Sequence, residues 1–120
     1  MEFLFDTDRP IYVQLVEALR RAIISGELSP GQRLPSVREL ALKAQVNPNT
    51  MQRALTQLED EGLVYTERTN GKFVTENETL ISGAKQTLAR EKARLFLEEM
   101  RKMGVSAAEA EQYLRELGGE

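Results

Sequence analysis

The stretch Ser36–Leu58, SVRELALKAQVNPNTMQRALTQL, predicts two short helices joined by a tight turn. Ser36 and Glu39 have the spacing of a capping box, which favours a helix start at this point. Asn47 and Pro48 suit the N-cap and first position of the second helix. Apolar residues recur at helical spacing in both, and they are Val37, Leu40, Ala41 and Ala44, then Met51, Ala54, Leu55 and Leu58. Two such helices form a helix-turn-helix, whose second helix can enter a DNA major groove.

The segments on either side complete a small winged domain. Upstream, PIYVQLVEALRRAIISGEL predicts a helix of about four turns that ends near Gly26. Its expected buried face consists of Ile11, Leu15, Leu19, Ala22 and Ile23. Downstream, residues 63–69 and 72–75 are rich in β-branched and aromatic residues, and Asn70-Gly71 between them favours a hairpin because both can adopt positive φ. We therefore predict a mainly α fold, a winged helix-turn-helix of three helices and a β-hairpin wing, over residues 1–76.

Residues 77–120 predict a two-helix tail. After a polar hinge, residues 81–103 form one long helix in which Ala89, Ala93, Phe96, Met100 and Met103 step by the coiled-coil interval. Ser106 and Glu109 form a second capping box, before a helix of roughly residues 107–117. The two helices carry more apolar surface than they can bury together, which favours a homodimer. The expected interface residues are Leu88, Phe96, Met100, Met103, Tyr113 and Leu117. The alternative is that these stripes form only an intramolecular core.

Composition argues against an enzyme. The 120 residues include no cysteine and no histidine, so thiolate chemistry and the commonest general base and metal ligand are missing. We expect no catalytic residue, no metal and no cofactor. No apolar run has the length of a membrane span and the N-terminus lacks a signal-peptide plan, so a cytoplasmic protein without a membrane partner is expected. The net charge is −3, yet residues 32–58 carry four cations against one acid, which suits specific DNA binding.

The exposed side of the second helix predicts the contacts with double-stranded DNA. Asn49 and Gln52 suit base edges, and Arg53 suits a guanine or a phosphate. Asn47 and Thr50 suit backbone phosphates, and Arg38 can reach a phosphate or the groove edge. Acids at residues 59–61 would be repelled by DNA, which leaves the first two turns for the groove. Alternatively, Asn47 serves only as a cap, Arg53 pairs with Glu39 or Gln57, and the wing tip at residues 68–72 is merely solvated.

These segments together resemble the DNA-binding domain of the GntR family of bacterial transcription regulators. The resemblance runs through PIYVQL (10–15), LSPGQRLPSVRELA (28–41), VNPNT (46–50), LEDEGLV (58–64) and GKFV (71–74). The short tail is similar to that of the YtrA-like subfamily, where it serves dimerisation. The resemblance implies DNA contacts at the arginine in SVR, at the start of the recognition helix and at the wing tip. The complete predicted set is Ser36, Arg38, Asn47, Asn49, Thr50, Gln52, Arg53, Asn70, Gly71 and Lys72.

Three positions depart from the family pattern. Pro48 stands where many relatives have an arginine, so their base preference does not transfer. Gln45 stands where many helix-turn-helix proteins have glycine; a left-handed glutamine costs about 1 kcal/mol, so we expect another turn shape. The usual wing Gly-x-Gly is reduced to Asn70-Gly71.

The leading hypothesis is a homodimeric, sequence-specific transcription regulator, most simply a repressor that binds an inverted repeat. The resemblance implies that the regulated genes include a transporter operon. One alternative is a protein-interaction adaptor built on a winged helix. Another is a regulator with a small-molecule effector site at the dimer interface, which is disfavoured because a cavity of about 300 Å³ would have to form there.

Overall fold

The computed structural model describes residues 1–118, which form five helices and one two-stranded antiparallel sheet in two compact units. The elements are α1 Ile11–Ile24, α2 Val37–Ala44, α3 Pro48–Asp60, β1 Val64–Glu67, β2 Gly71–Val74, α4 Glu78–Lys102 and α5 Ala107–Gly118. The first unit ends at Ala84 and the second begins at Lys85. This order confirms the predicted winged helix-turn-helix followed by two further helices. None of the helices in residues 1–118 combines the length and the apolar character that a membrane crossing requires.

The core of the first unit joins α1, α2 and α3 to the base of the wing. Its fully buried large side chains are Leu15, Leu19, Ile23, Leu40, Met51, Leu55, Leu58, Leu63 and Val74. One predicted core position is wrong, because Ile11 is 40% exposed. The buried face of α1 includes Gln14 instead, whose amide oxygen accepts from the Asp6 N–H (2.7 Å) and whose amide nitrogen donates to the Asp6 and Arg9 carbonyls. Gln14 thereby fastens the N-terminal segment to α1 and leaves no unsatisfied buried amide.

Both predicted starts of the helix-turn-helix are confirmed. The Ser36 hydroxyl accepts from the Glu39 N–H (3.1 Å), while the Glu39 carboxylate accepts from the Ser36 N–H (3.2 Å). Asn47 caps α3 by accepting from the Asn49 N–H (2.7 Å), with Pro48 as the first helical residue. These caps satisfy backbone donors that helix starts otherwise leave free, and so they fix where each helix begins.

The turn between α2 and α3 differs from expectation. Gln45 does adopt the left-handed conformation, with φ 57° and ψ 47°, so the predicted alternative turn shape is wrong. The backbone hydrogen bonds that close the end of α2 explain why this conformation persists: Gln45 N–H donates to Leu42 and Val46 N–H donates to Ala41. They satisfy carbonyls at the helix end and offset a strain of about 1 kcal/mol.

Substitution of Gln45 by glycine is expected to raise the free energy of unfolding by about 0.5–1 kcal/mol. Glycine adopts this φ without steric cost, although it also gains entropy in the unfolded chain, which limits the benefit. Urea unfolding of the two proteins measures the difference. Gln45→Ala, which keeps the Cβ, is the matched control and should not be stabilised; equal stabilisation by Ala would contradict the role of backbone strain.

The wing is a hairpin whose turn differs from the predicted one. In β1 and β2, Val64 pairs with Val74 and Glu67 pairs with Gly71, and the Asn70 N–H donates to the Glu67 carbonyl (3.2 Å). The predicted hairpin is confirmed, although only Gly71 of the Asn70-Gly71 pair has positive φ, at 100°. The chain therefore reverses between Glu67 and Gly71 with only one residue, Gly71, at positive φ.

A third extended segment, residues 31–34, lies against β2 and ties the wing to the helices. The Leu34 N–H donates to the Lys72 carbonyl (2.8 Å), and the Val74 N–H donates to the Gln32 carbonyl (2.9 Å). Because this segment leads directly into the capping box of α2, the wing and α2 are held at a fixed separation.

An ion pair joins α1 to the end of α3. Arg20 donates to both carboxylate oxygens of Glu61, at 2.9 Å from Nε and 2.5 Å from Nη2, and the Gln57 amide donates to the same carboxylate. The hydrogen bonds from Arg20 hold the pKa of Glu61 below its ordinary value of 4.5, against the opposing effect of partial burial. Since Glu61 is charged more readily in the folded than in the unfolded protein, the pair stabilises the fold above the unfolded pKa.

Glu61→Gln is expected to lower the free energy of unfolding at pH 7 by about 1 kcal/mol, since the pair is bidentate but partly solvated. A depressed folded pKa means that this stabilisation is lost as pH falls from about 4.5 through the folded value. Urea unfolding of both proteins at pH 7 and at pH 3 measures the difference. If the difference in free energy of unfolding between the two proteins is the same at pH 3 as at pH 7, the contribution of Glu61 does not depend on its charge.

The tail helix begins earlier than predicted. Asn77, expected in a hinge, instead caps α4, its side-chain oxygen accepting from the Leu80 N–H (3.0 Å), so the helix starts at Glu78 and not at Ile81. Ile81 and Ala84 pack against the core of the first unit. The predicted division at residues 76 and 77 stays a prediction, but the first turns of α4 belong to the first compact unit.

In the second unit, the predicted capping box of α5 is confirmed. The Ser106 hydroxyl accepts from the Glu109 N–H and the Glu109 carboxylate accepts from the Ser106 N–H, both at 3.1 Å. The buried side chain of this unit, within the described residues, is that of Ala110. The tail therefore has very little internal core.

Candidate nucleic-acid interface

The outer side of α3 presents a polar surface. Met51, Leu55 and their apolar neighbours are fully buried against the core, whereas Asn49, Gln52, Arg53 and Thr56 are exposed, as the helical spacing predicts. The Thr56 hydroxyl donates to the Gln52 carbonyl (3.0 Å). The Gln52 amide lies 3.4 Å from that hydroxyl. These short amide and hydroxyl side chains are suited to hydrogen bonds with base edges.

The remaining residues at the start of α3 have more constrained roles. Asn47 uses its side-chain oxygen for the cap, which leaves its amide nitrogen to donate to an anion. Thr50 is half-buried. The first amides of α3 lie at the positive end of the helix dipole, which favours phosphate.

Arg53 has a partner that the sequence analysis missed. Its guanidinium carbon lies 4.4 Å from the centroid of the Tyr12 ring, at the start of α1. The alternative pairings do not occur within residues 1–118, where Glu39 bonds with Ser36 and Gln57 with Glu61. Tyr12 belongs to the segment PIYVQL, but nothing in the local pattern indicates that it meets a residue 41 positions later.

Arg38 lies exposed on the second residue of α2, and nothing within residues 1–118 accepts a hydrogen bond or ion pair from it. The neighbouring Glu39 is occupied by the capping box, where the Ser36 backbone and hydroxyl hold its pKa below the ordinary value. The Ser36 hydroxyl is engaged in the same box, where its oxygen accepts from the Glu39 N–H and the hydroxyl also hydrogen-bonds the Glu39 carboxylate. Arg38 is thus an arginine with all its donors available for a ligand.

An open cleft separates the start of α2 from the wing. Its walls include Pro35, Ser36, Arg68 and Gly71, together with Arg33, a residue that sequence analysis did not single out. The Arg33 side chain lies beside Gly71, where a Cβ would be in ordinary van der Waals contact with it, 3.4 Å from Arg33 Nε. Glycine is favoured at this position by its φ of 100°, which residues with a side chain rarely adopt.

The wing carries less free positive charge than expected. Lys72 donates from Nζ to the Glu59 carboxylate (2.5 Å) and to the Thr66 hydroxyl (2.9 Å), so its charge is offset within the protein. The Asn70 amide donates to Glu67 (3.0 Å). Arg68 is the exposed cation of the tip that lacks an ion pair within residues 1–118. We infer that Lys72 is the least available of the predicted wing contacts.

Ion pairs also weaken the expected acidic boundary of α3. Glu59 pairs with Lys72, and Glu61 pairs with Arg20, which leaves Asp60 as the exposed acid of the three without an ion pair in the described chain. By contrast, several basic side chains of the same surface have no ion pair within residues 1–118. They are Arg33, Arg38, Lys43, Arg53 and Arg68. The surface formed by α2, α3 and the wing is consequently basic in a chain of net charge −3.

Within residues 1–118, no three acidic, histidine or cysteine side chains are grouped so as to hold a metal ion. A helix with exposed amides and hydroxyls, flanked by unpaired arginines and a β-hairpin, instead matches the shape and charge of duplex DNA. The fold and the surface together define the winged-helix class of DNA-binding proteins.

The predicted interface residues of the tail lie in varied surroundings. Leu88, Phe96 and Met100 are half-buried on α4, while Met103, Tyr113 and Leu117 are exposed, Leu117 at 86%. Leu95 and Leu114, outside the predicted set, are exposed as well. The charged residues of the tail pair along their own helices, as in Arg94 with Glu91 and Glu98. The exposed apolar residues, Leu95, Met103, Tyr113, Leu114 and Leu117, remain accessible on the single chain.

Comparison with known proteins identifies the family. Residues 11–74 match the model of the bacterial regulatory proteins of the gntR family, and the chain belongs to that family. It is 34% identical to the HTH-type transcriptional repressor YtrA of Bacillus subtilis, over 92% of this chain and 86% of that protein. The family consists of DNA-binding transcription regulators and not of enzymes, which confirms the predicted class.

Two solved structures extend the comparison. A GntR family transcriptional regulator from Listeria monocytogenes superposes with a TM-score of 0.87 at 37% identity, covering 93% of this chain and 98% of that one. The DNA-binding domain of AraR in complex with operator ORX1 superposes with a TM-score of 0.57 at 30% identity. That alignment covers 62% of this chain and 96% of the AraR chain. The likeness to the Listeria protein includes the tail, whereas the likeness to AraR covers less of the chain.

Proposed function

We propose that this protein is a homodimeric, sequence-specific transcription repressor that binds an inverted-repeat operator in the cytoplasm. The observation that carries the proposal is the basic surface of α2, α3 and the wing, on which Arg33, Arg38 and Arg68 have no ion pair within residues 1–118, in a chain whose family consists of transcription regulators. Similarity to the repressor YtrA over 92% of the chain supports repression over activation.

The proposed contacts follow from the availability of donors on this surface. Asn49 and Gln52 read base edges in the major groove, since their amides are exposed at the start of α3. Arg38, Ser36 and Thr50, with the Asn47 amide nitrogen, hold the flanking backbone. Arg68 and the backbone at Asn70-Gly71 bring the wing tip to the adjacent groove, with Lys72 in a minor role because Glu59 pairs with it.

The tail provides the dimer interface of the proposed regulator. Tyr113, Leu114 and Leu117 leave an apolar face on α5 whose charged neighbours, such as Arg115 with Glu111, are already paired. A second copy of the chain covers such a face by two-fold symmetry, and the same symmetry presents two α3 helices to two half-sites about one helical turn apart. A small-molecule effector has no part in this proposal.

Selection of duplexes from a random pool by the purified protein tests the proposal. We expect enrichment of an inverted repeat, with an affinity that falls steeply as KCl increases because bound phosphates release counterions. The same repeat should occur upstream of the gene or of a neighbouring operon, and a reporter placed behind it should be silenced. Failure to bind any duplex in a salt-dependent way would favour a protein-interaction adaptor, and activation of the reporter would overturn repression.

A further inference from the structure

Arg53 differs from the other exposed residues of α3 because a second helix holds its side chain. Its guanidinium lies over the ring of Tyr12 on α1, 4.4 Å from guanidinium carbon to ring centroid. Tyr12 is half-buried, so the ring is a fixed platform, while Arg53 itself is exposed to solvent. Stacking uses the face of the guanidinium and leaves the N–H groups at its edge free to donate.

The position of this stack on α3 is set by a second contact between the same two helices. Arg20 follows Tyr12 by eight residues and pairs with Glu61, which follows Arg53 by eight residues. The helices α1 and α3 therefore run side by side in the same direction, and the row Arg53–Gln57–Glu61 faces α1. Gln52 and Thr56 form the neighbouring row, joined to each other by their own hydrogen bond.

We propose that Arg53 is a phosphate-binding residue and not a base reader, and that Tyr12 is the positioning residue that holds it at the rim of the groove. This inference rests on the proposed function and assigns a role within it. The base edges then fall to Asn49 and Gln52, while the Tyr12–Arg53 pair grips the sugar-phosphate strand that passes the α1 side of α3.

Chemistry and geometry favour phosphate over a base as the partner. An arginine edge presents two parallel donors that match two phosphate oxygens. To reach into the groove, Arg53 would have to leave the Tyr12 ring. It would then lose the cation–π contact and the side-chain conformation that this contact already fixes. Within residues 1–118 no carboxylate competes for these donors.

The test uses the full chain and a duplex selected by the wild type, together with every single-base-pair variant of that duplex. Arg53→Ala should weaken binding about 10- to 100-fold, and the factor should be similar for all of these duplexes. The slope of log affinity against log salt should become less steep by about one per subunit. Gln52→Ala is the matched control: it should relax the preference at one base pair and leave the salt slope unchanged.

Tyr12 is tested by a double-mutant cycle. Tyr12→Leu should reduce affinity uniformly, Tyr12→Phe should retain wild-type binding because the ring alone is needed, and Tyr12→Leu should have no further effect once Arg53 is alanine. Thermal unfolding checks that the variants fold. If Tyr12→Leu still lowers the affinity for DNA when Arg53 is alanine, Tyr12 has a purely structural role and does not act by positioning Arg53.

Two outcomes separate the inference from the proposed function. If the wild type binds its duplex but Arg53→Ala erases the preference at a single base pair with an unchanged salt slope, the phosphate assignment is wrong and the regulator remains. If the wild type binds no duplex in a salt-dependent way, the proposed function fails and this assignment fails with it.

Discussion

Replacement of Arg38 by alanine is expected to lower operator affinity by a factor between about 30 and 10⁴. A guanidinium that contacts a base edge or phosphate contributes about 1–3 kcal/mol, and a symmetric dimer carries the substitution twice. Arg38 is suited to such a contact because it is exposed near the start of α2 and has no acceptor within residues 1–118. Fluorescence anisotropy with the selected duplex at fixed KCl measures the loss.

The effect should come from the lost contact and not from net charge or folding. Arg21→Ala removes the same charge from an exposed arginine on α1, beside Arg20, which pairs with Glu61 at the far end of α3 from the reading residues. We expect Arg21→Ala to bind within about threefold of wild type, since charges distant from the DNA contribute little at moderate salt. Both variants should unfold at the wild-type temperature and remain dimeric. Equal losses in the two variants would contradict a specific role for Arg38.

Local patterns were sufficient for most of the fold. The capping residues Ser36, Asn47 and Ser106 each act over three residues or fewer, so their spacing in the sequence already determines where a helix begins. Helical periodicity likewise identified the buried face of α3. The start of α4 was missed because Asn77 lies in a polar stretch typical of a hinge, although it is also a good N-cap.

The candidate site was less predictable, because its geometry depends on residues far apart in sequence. Tyr12 with Arg53, and Lys72 with Glu59, pair only once the helices and the wing have packed together. Sequence spacing identified the basic residues but not which of them are already neutralised. The left-handed Gln45 was also missed, because the backbone hydrogen bonds that close α2 offset a local preference of about 1 kcal/mol.

The second large effect is expected from the tail. Tyr113→Asp combined with Leu117→Asp should convert the dimer to a monomer and lower operator affinity by about 10²- to 10⁴-fold. Each subunit of a dimer binds its half-site with the high effective concentration that the other subunit provides, and a monomer loses that advantage without losing a single DNA contact. Both side chains are exposed in the single chain, Leu117 at 86%, so their replacement removes little of the packing within the subunit.

The control is a charge-matched pair on the other side of α5. Ala108→Asp with Gln112→Asp adds the same two negative charges at exposed positions outside the apolar face, and should leave both dimer and affinity unchanged. Sedimentation equilibrium gives the oligomeric state, and anisotropy on the full operator and on an isolated half-site gives the affinities. Because monomers keep α2, α3 and the wing, binding to the half-site should match that of the wild type. A variant that is monomeric yet binds the full operator as tightly as the wild type would show that one copy suffices, and a variant that stays dimeric would place the interface elsewhere than on α5.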